Sequence, residues 1–559
     1  MRAMAVAAVT AVLSCLPITA IGQIGAIAVD SEARQIAFLD LAKGTVDSKV
    51  SVPLPELSRV IVSPDNRTIL AIDDGGVHVT VVPIVELHPD KKASYAVVTR
   101  DKVIGTGDLG WGVAGQAFSS DGRYAYVITM GDDAKKDEEV KPSVLIRIDA
   151  ASGAEAGRLT FNRSTSGLRF DRSGATAIVF SPLQWKRNPQ APARMLFVDT
   201  ATWKESGSLE FPGKLTPLVA VGELFYFVDR GEKNAAGKVH IFDPAKRSIV
   251  KSIDVGSNAS AAGSDRDGNF FVLSQRSDGK AGQVTIIRGS DVAATWSTGA
   301  APERAVLSAD GKRLYVLGNQ LNVVDLAAKS SSPGVDAAHP AIAVLATSDG
   351  RRVITSVTEG ESCCRISVFD TAANKQLTSF HGGSKGKRAG QRLAAAALSL
   401  ASYEAGRAGA GRSGIFGYSI YAPTLRGAAR GPVAFGPGEK KAYAVDTQTN
   451  DVTVVDMETG QRTLNIDGGS GLKEVVALPD AGLIAAVSDE RIDLIDTTSD
   501  LVRESIKMKG GVMGAVATPD EKRIVVYGKE RIVVLDTATG KQLGMIDALK
   551  TPSQLIFLK

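Results

Sequence analysis

Residues 440–469 read KKAYAVDTQTNDVTVVDMETGQRTLNIDGG, in which the apolar runs AYAV, VTVV and TLNI alternate with short polar turns and Asp456 closes the middle run. Period-2 alternation bounded by Asp, Gly, Pro and Ser predicts antiparallel strands joined by tight turns. The run that ends in Asp recurs in IAFLD (Asp40), LIRID (Asp149), MLFVD (Asp199), VHIFD (Asp243), LNVVD (Asp325), ISVFD (Asp370), IDLID (Asp496) and IVVLD (Asp536). Two weaker copies, VHVTVVPIV and VTIIRGSDV, fill the gaps. A second signature, seen as SPDN, SSDG, DRSG, SADG, TSDG, LPDA and TPDE, marks a turn upstream of these runs.

Consecutive copies sit roughly 40 to 56 residues apart, near the period of a four-stranded propeller blade. The recurring Asp residues are read as turn residues, their carboxylates accepting backbone N–H groups, and not as catalytic acids. The ends complement each other. AIAVDSEARQIAFLDLAKGTVDSKVSV aligns with the second, third and fourth strands of the unit, and the C-terminal TPSQLIFLK supplies one solitary first strand. Pairing the two removes an open sheet edge. The expected fold is all-β, a β-propeller of four-stranded antiparallel blades with about eleven modules. That number exceeds a usual single ring and favours two packed propellers.

Units such as KKAYAVDTQTNDVTVVDMETGQRTLNI and KRLYVLGNQLNVVDLAA resemble the YVTN-type bacterial β-propeller repeat, over most of residues 24–383 and 431–559. The resemblance implies a bacterial propeller and leaves the activity open, because propellers host many unrelated functions.

Composition changes this picture little. A chain of 559 residues outgrows one hydrophobic core, so it repeats a module or divides into domains. Hydrophobic content of 44% with 23% charged residues excludes wholesale disorder. The start, MRAMAVAAVTAVLSCLPITAIGQ, carries Arg2, an apolar stretch to Leu16 and small residues at Ala20 and Gly22, the pattern of an export signal cleaved after Gly22. An uncleaved anchor and lipidation at Cys15 are the rival readings. The organisation expected is therefore a signal peptide over 1–22, blades over 23–383, an insertion over 384–430, and blades with the closing strand over 431–559, in a periplasmic or extracellular protein.

Departures from the repeat concentrate on one face. Long loops between second and third strands fall at 131–143, 181–193, 229–238 and 358–365, on the side that also carries the blade-to-blade connections. The insertion 384–430 belongs to that side. It holds Lys385, Lys387, Arg388, Arg392, Arg407, Arg412, Arg426 and Arg430 against the single acid Glu404, a net +7 within a chain of net +4. Such an asymmetry suits a protein or anionic envelope partner, with peripheral membrane contact through the same segment. Nucleic acid is disfavoured, since the arm lacks dense aromatic–basic interleaving and the chain carries an export signal. Arg388, Arg392, Arg407 and Arg412 are the candidate anion contacts, and Trp185, Lys186 and Arg187 the candidate rim contacts.

No catalytic, cofactor or metal site is expected. The five histidines lie outside ligand spacing of one another, and HExxH, P-loop and CxxCH strings are absent. GGSKG at 382–386 has the GxSxG form, with Ser384 in the nucleophile slot, but lacks the strand-to-helix context. Adjacent Cys363 and Cys364 are candidates for a vicinal disulfide, or for two plain thiols in a loop tip. The function expected is a non-enzymatic exported scaffold. Two alternatives stay open: a propeller subunit of a periplasmic quinoprotein or haem redox complex, and a lactonase-like hydrolase.

Overall fold

The computed structural model describes residues 25–557 apart from 74–77, 87–94, 98–103, 106–112, 132–141, 162–164, 182–191, 231–234, 277–280, 337–342, 357–364 and 385–429, and single positions 42, 166, 213, 217, 266, 300, 301, 303, 309, 319, 519, 521 and 548. Among the described residues no helix is long and apolar enough to cross a membrane.

The chain is all-β, a β-propeller whose described strands form ten antiparallel sheets, most of them four-stranded. Blades are numbered here in chain order. Blade 1 is built from both ends of the chain: its inner strand is Pro552–Phe557, followed outward by Gly25–Asp30, Gln35–Asp40 and Thr45–Ser51. Ile27 faces Ile556 and Ala28 faces Leu555 across that antiparallel pair. This is the ring closure that the lone C-terminal strand predicts.

The sequence pattern follows from position within a blade. Second and third strands are flanked by strands on both edges and by neighbouring blades on both faces, so they read as unbroken apolar runs. Lys441–Asp446 is buried at every position after its first residue. Outer strands such as Lys204–Phe211 lie at the rim and are mostly exposed. Burying one Val, Leu, Ile or Phe is worth about 1.5–3 kcal/mol, and these central strands supply most of that term.

Packing between blades runs in strict chain order. Separate apolar clusters join blade 1 to 2 and 2 to 3 (Phe38 with Ile69, Ile72 with Val127), then 3 to 4 and 4 to 5 (Tyr126 with Leu168, Phe197 with Phe242). They continue through 5–6, 6–7, 7–8 and 8–9. Finally they join 9 to 10, 10 to 11, and 11 back to 1 through Val525, Val534, Ala28 and Leu39. The expectation of two packed propellers is therefore corrected. Two rings would each need a first-to-last contact, whereas among the described clusters each sheet already spends both faces on its chain neighbours. The succession forms one cycle closed between the last blade and the first.

One junction differs. Strand Ser248–Ser264 pairs Ala236–Asp243 with its first half and Asn269–Gln275 with its second. It is the outer strand of blade 5 and the inner strand of blade 6, and it merges the two into a seven-stranded sheet. The crossing is tight at Gly256, where a Cβ would fall 1.8 Å from the Gln275 carbonyl oxygen. Tyrosines on second strands add ties between blades: Tyr226 donates to Gly289 O at 2.6 Å, and Tyr443 to Asp500 Oδ1 at 2.8 Å.

Candidate partner-binding face

The two ends of the blades differ in construction. At one end, the turn from third to outer strand repeats one device. Oδ1 of the run-ending Asp accepts the amide of the residue three positions on, as in Asp149–Ser152 (2.7 Å), Asp370–Ala373 (2.8 Å), Asp456–Thr459 (2.8 Å) and Asp536–Thr539 (2.7 Å). The fourth residue after each Asp takes a left-handed φ, as at Gly153, Gly460 and Gly540, and also at the non-glycines Trp203, Lys329 and Asn374. The Ser152 and Thr539 hydroxyls hold the Asp149 and Asp536 carboxyls below the usual carboxylate range, and the Thr459 and Ser499 amides do the same for Asp456 and Asp496. Turns between inner and second strands use a related clasp, with Ser119, Ser308 and Thr347 hydroxyls donating to Asp121, Asp310 and Asp349 at 2.6 Å. The repeated acids are consumed by turns, as the sequence suggests.

The other end carries the longer segments, which span Thr129 to Ser143, Ser181 to Ala193, Asp229 to Ala236 and Ser356 to Arg365. Here the structure identifies carboxylates that the sequence reading passed over, at the ends of second strands: Asp30, Asp73, Asp229 and Asp446, all buried. Asp30 accepts amides of Ala33 (3.0 Å), Lys550 (2.7 Å) and Thr551 (3.2 Å), so it holds the incoming inner strand of its own blade. Asp446 accepts amides of Gln448 and Thr449, each at 3.0 Å. Their signal in the sequence is a run-ending Asp one strand earlier than the obvious series: AVD, AID, FVD and AVD.

The basic insertion departs and returns at defined points on this face. After the outer strand Lys375–His381, the Gly383 amide donates to Thr453 Oγ1 at 2.8 Å and the Ser384 amide to Asp451 Oδ2 at 2.7 Å. Arg462 Nη1 donates to Gly383 O at 3.0 Å. Gly383 has φ 67°, and a Cβ there would lie 2.0 Å from Thr449 Oγ1, so this foot requires glycine. On return, Arg430–Gly431 adds to the inner strand of blade 10, Arg430 facing Val476 and Gly431 facing Val475. Ion pairs surround the sector: Arg491 with Asp467 (2.8 Å) and Asp493 (2.7 Å), Lys473 with Asp489 (2.6 Å) and Arg531 with Asp547 (2.6 Å).

The candidate contacts Arg388, Arg392, Arg407 and Arg412, the rim residues Trp185, Lys186 and Arg187, and the pair Cys363 and Cys364 all lie outside the described residues. Ser384 is placed, and its amide is committed to Asp451. Among the described histidines, His78 Nδ1 sits 3.3 Å from Asp73, His240 beside Ser252, and His381 Nε2 3.5 Å from Arg365 Nη2. No group of three or more His, Cys, Asp or Glu among the described residues could hold a metal ion. What the described part of this end provides is fixed points of departure and return for these segments, the basic insertion included.

No family model and no curated protein matches the chain. Among solved structures, a eukaryotic initiation factor is similar at 12% identity over 80% of this chain and 96% of its own, with a TM-score of 0.38. The C-terminal WD40 domain of Sif2 is similar at 14% identity over 59% of this chain and 88% of its own, with a TM-score of 0.32. Hydrazine synthase from Kuenenia stuttgartiensis is similar at 14% identity over 59% of this chain and 97% of its own, with a TM-score of 0.29.

Proposed function

We propose that this chain is a non-enzymatic, exported scaffold of the YVTN type, which binds a protein or anionic envelope component through its elaborated face. The insertion 384–430 is the recognition arm, with Arg388, Arg392, Arg407 and Arg412 as its anion contacts and Trp185, Lys186 and Arg187 on the rim. The observation that carries this reading is the footing of the arm. A net +7 segment starts from Gly383 and Ser384, bonded to Thr453 and Asp451, and ends in a strand paired to blade 10. Chain fastened at both ends loses less conformational entropy on binding than a free tail, which favours a specific contact over a diffuse one. The internal use of the repeated acids agrees with a scaffold role, because it leaves those turn carboxylates without a proton-transfer task.

Cross-linking and co-purification from the cell envelope tests the proposal, comparing the full chain with a variant in which a short Gly/Ser bridge replaces 386–428. The partner is expected with the full chain only, and its capture should weaken as salt rises. Identical capture by both proteins removes the arm from the mechanism.

A further inference from the structure

His240 is a buried titratable group that neither the turns nor the elaborated face uses. It sits on the third strand of blade 5 and is 8% exposed. Its ring centroid is 5.1 Å from that of Phe211, on the outer strand of blade 4, and 5.2 Å from that of Phe227, on the second strand of its own blade. Nδ1 lies 2.9 Å from the Ser252 hydroxyl oxygen, and Nε2 is buried with no hydrogen-bond partner among the described residues. Both phenylalanines belong to the apolar cluster that joins blades 4 and 5.

The charged groups around this cage are few, and most are paired elsewhere. On the second strand, Asp229 favours the protonated ring; on His240's own strand, Lys238 opposes it and contacts Asp254 of the outer strand at 3.2 Å. Lys251, also on the outer strand, is turned to Asp291 of blade 6 at 2.6 Å. Glu210, next to Phe211 on blade 4, pairs with Arg194. Burial is the largest influence and pushes the imidazole below its usual range.

We propose that His240 is an acid-sensitive latch: neutral, it seals the seam between blades 4 and 5, and uptake of a proton in the phenylalanine cage loosens that seam. An imidazolium has two N–H donors, and only Nδ1 has a partner here; the second would be a buried, unpaired, charged donor. Because the closed state lowers the imidazole pKa, closure is fully stabilised above the value of the open state, about 6.5. Stability is lost as pH falls from there through the lower closed-state value. One linked proton weakens closure by up to about tenfold per pH unit in that window. The long segments 181–193 and 229–238 spring from the strands on either side of this seam, so acid would act beneath one sector of the elaborated face.

Hydrogen–deuterium exchange of the full chain between pH 7.5 and 5.0, corrected for intrinsic exchange, tests the latch. Protection of Lys204–Phe211 and Ala236–Asp243 should fall by up to about tenfold per unit below pH 6.5, while Leu483–Val487 in blade 10 keeps its protection. His240→Phe, which keeps a ring in the cage and cannot titrate, should flatten that response. Equal pH behaviour of the two regions in the unaltered chain overturns the latch without recourse to any variant. So does a pH response that survives in a folded His240→Phe protein.

Discussion

Asp30 offers the sharpest test of ring closure. Its buried carboxylate accepts amides from Ala33 at 3.0 Å, Lys550 at 2.7 Å and Thr551 at 3.2 Å, two of them some 520 residues away in sequence. Asp30→Ala removes three charge-assisted bonds and leaves three donors behind. Each such bond is worth about 1.5–3 kcal/mol where the donors stay dry. Lys550 is exposed and Ala33 and Thr551 are half-buried, so water replaces part of the loss. With water available to the donors the net worth falls below that range, to about 1 kcal/mol per bond, giving about 3 kcal/mol for the seam. Converted at 1.4 kcal/mol per factor of ten, the closing strand should open about 100-fold more often. Because a ring of many blades does not unfold in one step, the assay is local: amide exchange of the closing strand Pro552–Phe557 against the reference strand Arg352–Ser356 of blade 8. Asp30→Asn, which keeps one acceptor oxygen, should fall between the two. Unchanged protection of the closing strand in a folded Asp30→Ala protein would refute the role assigned to this carboxylate.

Two further outcomes are expected. The turn carboxylates of Asp149, Asp199, Asp370, Asp456, Asp496 and Asp536 are lowered by their hydrogen bonds, so each stabilises the fold above the unfolded value of about 3.9 and ceases to do so as pH falls through its folded value. Protection of these turns against amide exchange, corrected for intrinsic rates, should therefore hold from pH 7 to about 5 and fall below about pH 4; a flat profile down to pH 3 contradicts it. At the junction of blades 3 and 4, Arg147 lies between Tyr124 (5.0 Å) and Trp203 (4.5 Å), and a Cβ on Gly157 would fall 2.4 Å from Trp203 Nε1. Gly157→Ala should displace the indole, shift its fluorescence and destabilise the junction by about 1–3 kcal/mol; unchanged fluorescence and stability would show that the indole has room to move.

The repeat was legible because period-2 alternation and turn chemistry are local. Asp456, Thr459 and Gly460 lie within five residues, and a carboxylate that caps its own turn works alike in every blade. The solitary strand at 552–557 also announced its partner, since an unpaired edge must be covered. The second-strand acids were harder to see. Asp30 and Asp446 end apolar runs as Asp456 does, but the partners of Asp30 include Lys550 and Thr551, which only ring closure brings near.

Module count pointed to two rings, and the alternation could not correct it, because one ring and two satisfy the same alternation in every strand. The choice depends on which sheet faces meet. That is a matter of twist and shape accumulated around the ring, and it emerges in the cluster joining Val534 of the last blade to Ala28 of the first. The same holds for His240. Its position in a strand is plain from KVHIFD, whereas its phenylalanine cage comes from two strands and two blades, one of them beginning at Lys204. Sequence alone determined the unit, its turns and its closing strand, all of which rest on contacts between near neighbours or on edges that must pair. The single cycle, the hold of Asp30 on the closing strand and the footing of the basic arm were decided only by tertiary structure, because each depends on atoms that the chain separates by tens to hundreds of residues.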